Sequence, residues 1–171
     1  MSEYARVYSD FTIVDGTHNT TVYDLKLMPF TNVDCLGKNV VSGIMLDESE
    51  NSASVEQALK LFHLAVSGAT LMTDGGSAYP APASGCNMNH ILCIHHFQQD
   101  VVASCAGLGH RADDFKRDAM ALLYESFSTE AAFNDHFQSC EHAYASFPSA
   151  ASSLRKIANE RNKVCRTFTG T

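Results

Sequence analysis

Ala69-Thr70-Leu71-Met72-Thr73-Asp74-Gly75-Gly76, and then His90-Ile91-Leu92-Cys93-Ile94-His95-His96 after a Pro- and Gly-containing loop, is the stretch that decides how this chain folds. The first segment reads as a short apolar strand that ends on an acid and two glycines. The second reads as another apolar strand, over His90 to Cys93, running into a turn with paired histidines. An acid at the end of a buried strand, with Gly-Gly behind it, can present a carboxylate to a metal or a phosphate. Asp-Gly is equally an ordinary way to end a strand in a turn. A second carboxylate upstream, and its place in the fold, separates the two readings.

Working outward, residues 11–14 form a first strand ending on Asp15-Gly16. Polar residues 17–21 make a turn, and a second strand passes through Tyr23 and Leu25 to Val33. Asp34-Cys35-Leu36-Gly37-Lys38 is a hairpin turn, with Gly37 supplying the positive φ that tight turns need. Residues 39–46, rich in Val and Ile, make a third strand. Pro29 removes one ladder donor, so it belongs at a bulge or where the strand lies unpaired. Ser54-Val55-Glu56-Gln57 matches a capping box. Val55, Ala58, Leu59, Phe62 and Val66 then recur at helical spacing, and Gly68 supplies a stop.

Three strands joined by short turns form an antiparallel meander, and the strand–helix–strand passage after it requires a crossover into parallel pairing. The simplest arrangement sets the Leu71 strand beside the first, parallel to it, with the Ile91 strand fifth. From Phe97 onward the pattern is helical: residues 97–106, then 114–127 with Phe115, Ala119, Leu122 and Leu123 on one face. A third helix, capped by Thr129 and burying Ala132, Phe133 and Phe137, is broken by Pro148. Residues 149–164 make a fourth. The expected fold class is α/β: residues 1–98 a mixed five-stranded sheet with flanking helices, residues 99–171 a helical insertion in the same structural domain.

Composition bounds the function. The chain has 171 residues, 45% hydrophobic and 18% charged, the balance of a globular protein with a sizeable core. No apolar run approaches the roughly 18 residues that span a bilayer, so no membrane partner is expected. The N-terminus lacks signal-peptide blocks. The expected location is intracellular, with Cys35, Cys86, Cys93, Cys105, Cys140 and Cys165 reduced. No Cys-x-x-Cys pair suggests a zinc ribbon. A net charge of -7 argues against strong nonspecific DNA binding by this chain alone. Five of its 12 basic residues, Arg155, Lys156, Arg161, Lys163 and Arg166, nevertheless cluster at the end. They read as a solvated helix face or as a phosphate-binding stripe.

If the first and fourth strands are parallel neighbours, Asp15 and Asp74 leave the same edge of the sheet, on strands about 4.8 Å apart. Two carboxylates so placed can bind a pair of divalent cations roughly 3.5–4 Å apart, which activate water or a 3′-hydroxyl in phosphodiester cleavage. Mg²⁺ suits the site because it takes oxygen ligands, keeps several waters and accepts phosphate oxygens. Mn²⁺ is the alternative.

Asp15-Gly16-Thr17, Asn32-Val33-Asp34 with Gly37, Leu46-Asp47-Glu48-Ser49-Glu50, Thr73-Asp74 and Cys93-Ile94-His95-His96 occur in order. Together they resemble the catalytic domain of Mutator-like element (MULE) transposases and transposase-derived proteins related to them. The helical passage from Phe115 and Asp118 to Thr129-Glu130-Ala131-Ala132-Phe133 resembles that family's helical insertion. The resemblance runs from about Asp10 to Val164. It implies an RNase H-like fold that cuts and joins DNA with three acids and divalent metal. Asp15 would be the first acid and Asp74 the second, both metal ligands, with the DNA of transposon ends as partner and the nucleus as location. Cys93 and His96 match the family's Cys-x-x-His motif, which lies near the active site and is not a zinc finger. Cys93 also reads simply as a buried strand residue, whereas His96 could donate to DNA or a metal-bound group. His90 and Cys86 are weaker candidates for a zinc site. In the low-charge context of this chain, Arg155, Lys156, Arg161 and Lys163 are the nucleic-acid candidates. A homo-oligomer is compatible with the resemblance.

The third acid departs from the pattern. In the family it follows the insertion, about a hundred residues past the second Asp, at or beyond Thr171. Glu125, Glu130, Glu141 and Glu160 all fall inside the insertion, and Glu125 reads as a solvent-facing helix residue. The expected chain is therefore a transposase core ending before its third acid. The alternatives are a domesticated, non-enzymatic protein that works through DNA or protein contacts, and an unrelated metal-dependent hydrolase on a similar sheet.

Overall fold

A computed structural model describes residues 7–16, 25–124 and 127–164. They fall into two compact units that meet in sequence between Leu92 and Cys93.

The first unit is built on a five-stranded mixed sheet in the order β3-β2-β1-β4-β5. Its strands are β1 (Phe11–Val14), β2 (Lys26–Val33), β3 (Asn39–Asp47), β4 (Thr70–Thr73) and β5 (Asn89–Leu92). β1, β2 and β3 are the expected antiparallel meander, and β1, β4 and β5 run parallel. This is the RNase H-like arrangement, and it follows from chain connectivity: tight turns permit only antiparallel neighbours, while a helical crossover returns the chain parallel. The β2–β3 turn is held by Asp34, whose Oδ1 accepts the Leu36 and Lys38 amides, both at 2.8 Å. Gly37 sits there at φ 74°.

Alternation along the strands buries Val14, Met28, Phe30 and Leu71 on one face. They form one core with Val55, Ala58 and Leu59 of the crossover helix α1 (Ser52–Leu61), with Tyr79 just before α2 (Pro80–Gly85) and with Ala83 within it. Burying a side chain such as Leu59 or Leu71 contributes about 1.5–3 kcal/mol. The sheet kinks between Phe30 and Thr31, where Ser42 is the extra residue of a bulge. Pro29 lies beside this bulge and beyond the last β1 pair, Val14 with Phe30, so its missing donor interrupts no β1 ladder. Gly43 lets the Phe62 ring close onto the strand: a Cβ there would stand 2.4 Å from it. Phe62 in turn meets Phe30 edge-on, centroids 5.3 Å apart.

Several boundaries differ from the sequence reading. The α1 cap is Asn51, whose side chain accepts the Ser54 amide, and no Ser54 capping box forms. Ser and Asn compete for the same orphan amides, and Asn51 reaches them one turn earlier. The helix ends at Leu61, with His63 rather than Gly68 taking the first positive φ, 57°. Val66 therefore packs on the core from a loop. The expected turn at 17–21 and the strand segment around Tyr23 lie outside the described residues.

The second unit is helical: α3 (Ile94–Ser104), a short 3-10 turn (Gly109–Arg111), α4 (Ala112–Tyr124), α5 (Glu130–Tyr144), α6 (Pro148–Asn159) and α7 (Arg161–Val164). α3 begins at Ile94, so Ile94, His95 and His96 are its first turn rather than a connecting turn, and Cys93 is its N-cap rather than a strand residue. Thr129 caps α5 by accepting the Ala132 amide at 3.1 Å. α5 ends at Tyr144, ahead of Pro148, which opens α6, where its missing amide is no loss. Phe97, Val101, Phe115, Leu122, Leu123, Phe133 and Leu154 are buried. Phe115 meets Tyr144 edge-on at 5.0 Å. Among the described residues no helix is long and apolar enough to cross a membrane.

Candidate active site

Parallel pairing brings the two aspartates to one place. β1 and β4 pair Phe11 with Thr70, Thr12 with Leu71 and Ile13 with Met72. Continued past the strand ends, that register sets Asp15 opposite Asp74. Each follows a buried residue, Val14 or Thr73, that anchors its strand end in the core. Asp15 is exposed and Asp74 half-buried.

The turn after β4 is held by its own polar groups. Thr73 Oγ1 accepts the Gly75 amide at 3.2 Å and pairs with His90 Nε2 on β5 at 2.9 Å. Asp74 Oδ1 accepts the Gly76 amide at 2.9 Å. Gly75, at φ 90°, supplies the left-handed backbone that turns the chain away from the sheet. One carboxylate oxygen of Asp74 is thus engaged by the turn itself.

Two residues that sequence reasoning assigned no role lie at the same end of the sheet. Glu50 immediately precedes the Asn51 cap, and its carboxylate lies against Gly16, with Oε2 3.3 Å from where a Cβ would stand. Tyr79, fully buried, precedes α2. Its ring and Asp74 Oδ1 both lie 3.3 Å from a Cβ built on Gly76. Glycines beside both aspartates therefore leave the room that Glu50 and Tyr79 occupy. Glu50 Oε1 and Tyr79 Oη are buried and form no hydrogen bond among the described residues. Burial first, then the Glu50 carboxylate near its hydroxyl, and then Asp74 and Asp15, hold the Tyr79 phenol far above its usual range. The Glu50 carboxylate thus comes close enough to be felt by the phenol without hydrogen-bond geometry. Glu50 stood inside the Leu46–Glu50 motif; nothing in sequence marked Tyr79.

No protein-family model matches the chain, and no curated protein matches it in sequence. Among solved structures, the chain is similar to the catalytic core domain of BIV integrase. The match covers 80% of this chain and 99% of that one, with 13% identity and a TM-score of 0.38. At that level it carries no argument about chemistry, which rests on the residues themselves.

The fit to a divalent cation can be tested on these side chains. Among the described residues no group of three or more His, Cys, Asp or Glu side chains is gathered closely enough to hold a metal. A Mg²⁺ site does not require such a cage, because one or two carboxylates suffice when water and substrate oxygens complete the shell. Asp15 and Asp74 are hard oxygen donors of the kind Mg²⁺ takes, but among the described residues they are not gathered with a third acid into a metal-holding group.

The remaining candidates are placed as follows. Cys93 and His96 sit at the cap and first turn of α3, in the second unit. His90 is engaged with Thr73, and Cys86 caps α2 with its thiol raised chiefly by burial; neither joins a metal-capable group among the described residues. The basic stripe is matched by acids within the second unit: Arg155 with Glu141 at 2.7 Å, Lys156 with Asp100 at 2.5 Å, Arg161 with Glu130, and Lys163 with Glu160 at 2.9 Å. Of the acids weighed for the third position, Glu130, Glu141 and Glu160 are these partners, and Glu125 lies outside the described residues. So do Arg166 and Cys165. Cys35, Cys86, Cys93, Cys105 and Cys140 are free thiols.

Proposed function

We propose that this chain carries the catalytic core of a Mutator-like DNA transposase, with Asp15 and Asp74 as the carboxylates that hold Mg²⁺ or Mn²⁺ against a DNA phosphodiester. The observation that supports the reading is the parallel β1–β4 register, which, continued two residues past Ile13 and Met72, brings the Asp15 and Asp74 positions level at one end of the sheet. Divalent cation bound there supplies positive charge to the phosphate oxygens and lowers the pKa of an attacking hydroxyl. The chain's own contribution is placement. The core fixes Val14 and Thr73, and the Thr73–His90 pair and the Gly76 amide fix the turn that carries Asp74. Asp15 is exposed. The helical unit is the family's insertion in this reading, and the nucleus its place of action.

The test is nicking of supercoiled plasmid with Mg²⁺ or Mn²⁺. Activity lost in both Asp15→Asn and Asp74→Asn is the expected result, and equal activity in wild type and both variants would overturn the assignment. One observation favours a second reading, a domesticated protein that keeps the fold for DNA or protein contacts: the absence of a gathered three-ligand group among the described residues. That reading expects DNA or protein binding with no metal-dependent nicking in any variant.

A further inference from the structure

We propose that the β3 edge of the sheet is a homodimer interface. A second copy of this chain adds its own β3 antiparallel to the first, about a two-fold axis that passes between Ser42 and Gly43.

β3 ends the strand order, with β2 on one side and no strand on the other among the described residues. An edge strand presents a row of amides and carbonyls to any passing strand, and proteins blunt it with charge, proline or a bulge. Residues 39–46 hold no charge and no proline. Val41, Ile44 and Leu46 are more than half exposed, as is Leu61 at the end of α1. Ile44, Leu46, Leu61 and Phe62 line a groove between the strand and that helix. An uncharged, apolar edge of this length is a template for another strand.

The strand itself selects the occupant. About this axis Val41 of one copy meets Ile44 of the other, Asn39 meets Leu46, and Lys38 meets Asp47, each pair occurring twice. Directly opposed antiparallel residues project to the same face. Val41, Ile44 and Leu46 oppose Thr31, Pro29 and Leu27 on β2 and so share one face, while Gly43 and Met45 oppose Phe30 and Met28 of the core. The extra residue at Ser42 makes this register possible: without it, Val41 and Ile44 would project to opposite faces and could not pair. Ladder bonds then form on both flanks, and the facing bulges interrupt them at the centre. Charge completes the match. Lys38 precedes β3 and Asp47 ends it, so antiparallel pairing joins unlike charges at both ends, whereas parallel pairing would join like ones. Lys26 stands opposite Asp47 on the β2 side, and Lys38 of the other copy takes the outer side. On the α1 face the Phe62 ring closes onto Gly43, beside the axis, which brings Leu61 near its mate and closes the groove.

The experiment is sedimentation equilibrium of the full chain over a wide concentration range, with circular dichroism to confirm folding and hydrogen exchange at the lowest and highest concentrations. Wild type should pass from monomer to a species of twice the chain mass and stop there, as a two-fold interface closes on itself. Amides of residues 38–47 should exchange more slowly at high concentration. Ile44→Lys, at an exposed position, should stay folded and weaken dimerisation about tenfold or more. Lys38→Glu and Asp47→Lys should each dimerise poorly alone, because each opposes like charges, and should pair when mixed, because the mixture restores both unlike pairs. Asp47 also accepts the Ser49 amide at 3.5 Å. Should Asp47→Lys fail to fold, Val41→Lys mixed with Ile44→Glu tests the same register and should pair better than either alone. Wild type that stays monomeric, assembly that grows past two copies, or dimers indifferent to Ile44→Lys would each overturn the proposal. No gain on mixing would overturn the register. Slow exchange of residues 38–47 at every concentration would also count against it, since the edge would then be covered within a single chain.

Discussion

In the helical unit Tyr144 donates its hydroxyl to Asp118 at 2.9 Å, and Arg117 faces the same carboxylate. In the α/β unit Tyr79 is just as buried, and its hydroxyl has no such partner among the described residues. The contrast extends to the charges. Arg155, Lys156, Arg161 and Lys163 each face an acid, whereas Asp15, Asp74 and Glu50 all act on one buried phenol. A fold selected only to persist satisfies its buried polar groups, because an unsatisfied one costs about 1–3 kcal/mol. Tyr144 follows that rule and Tyr79 departs from it, and the helical unit has its own exception in His136 Nε2, buried with no hydrogen bond among the described residues.

The comparison breaks most visibly through Asp74→Asn. Asn keeps an oxygen for the Gly76 amide, so folding should be retained. Metal-dependent nicking should fall about a hundredfold or more, as expected when several kcal/mol of metal-derived stabilisation is removed. Unaltered nicking would reduce the sheet end to an ordinary turn.

A pair of conservative changes comes next. Tyr144→Phe should destabilise by about 1–2 kcal/mol in urea melts, since it removes a buried hydrogen bond to a charged acceptor. Tyr79→Phe should leave stability within about 0.5 kcal/mol of wild type or raise it, because the lost hydroxyl forms no hydrogen bond among the described residues. Equal losses in both would erase the distinction.

A pH series sharpens the same point. Burial, and then Asp118 accepting its hydroxyl proton, push the Tyr144 phenol from 10.0 up to about 12. Burial, and then the Asp118 charge, push the Cys140 thiol from 9.0 up to about 11. Both groups ionise more readily unfolded than folded. Their contribution is therefore fully present below about pH 9 and is lost as pH rises toward about 12. Melts near neutrality and at roughly pH 11 should show the fall, and it should be shallower in Tyr144→Phe.

The smallest effect belongs to the surface pairs. Arg155→Ala and Lys156→Ala should each change stability by less than about 1 kcal/mol. A drop of about one unit in the salt dependence of DNA binding for each residue replaced would instead make them phosphate contacts.

Much of the layout was legible in the chain. The periods of Phe11 to Val14 and Leu71 to Thr73 marked strands, and Asp34 with Gly37 marked the hairpin. The helix between the third and fourth strands forced the parallel crossover. Boundaries were less legible, because they turn on which of several capable side chains reaches an orphan amide first. Asn51 displaced Ser54 in that role, and His63 displaced Gly68 as the first left-handed residue. Ile94 to His96 read as a turn because the pattern does not show that a helix can start directly at the end of a strand.

What the sequence determined by itself was alternation, helical period and turn chemistry, all local, together with the connectivity that orders the strands. From these came the five-stranded mixed sheet and the facing positions of Asp15 and Asp74. Only the tertiary structure decided that Glu50 lies against Gly16 and that Tyr79 is buried beside Asp74, its hydroxyl without a hydrogen bond among the described residues. Those contacts join residues 34 and 5 positions apart in the chain across separate elements. They depend on how α1 and α2 pack on the sheet, and no short-range pattern in the sequence encodes that packing.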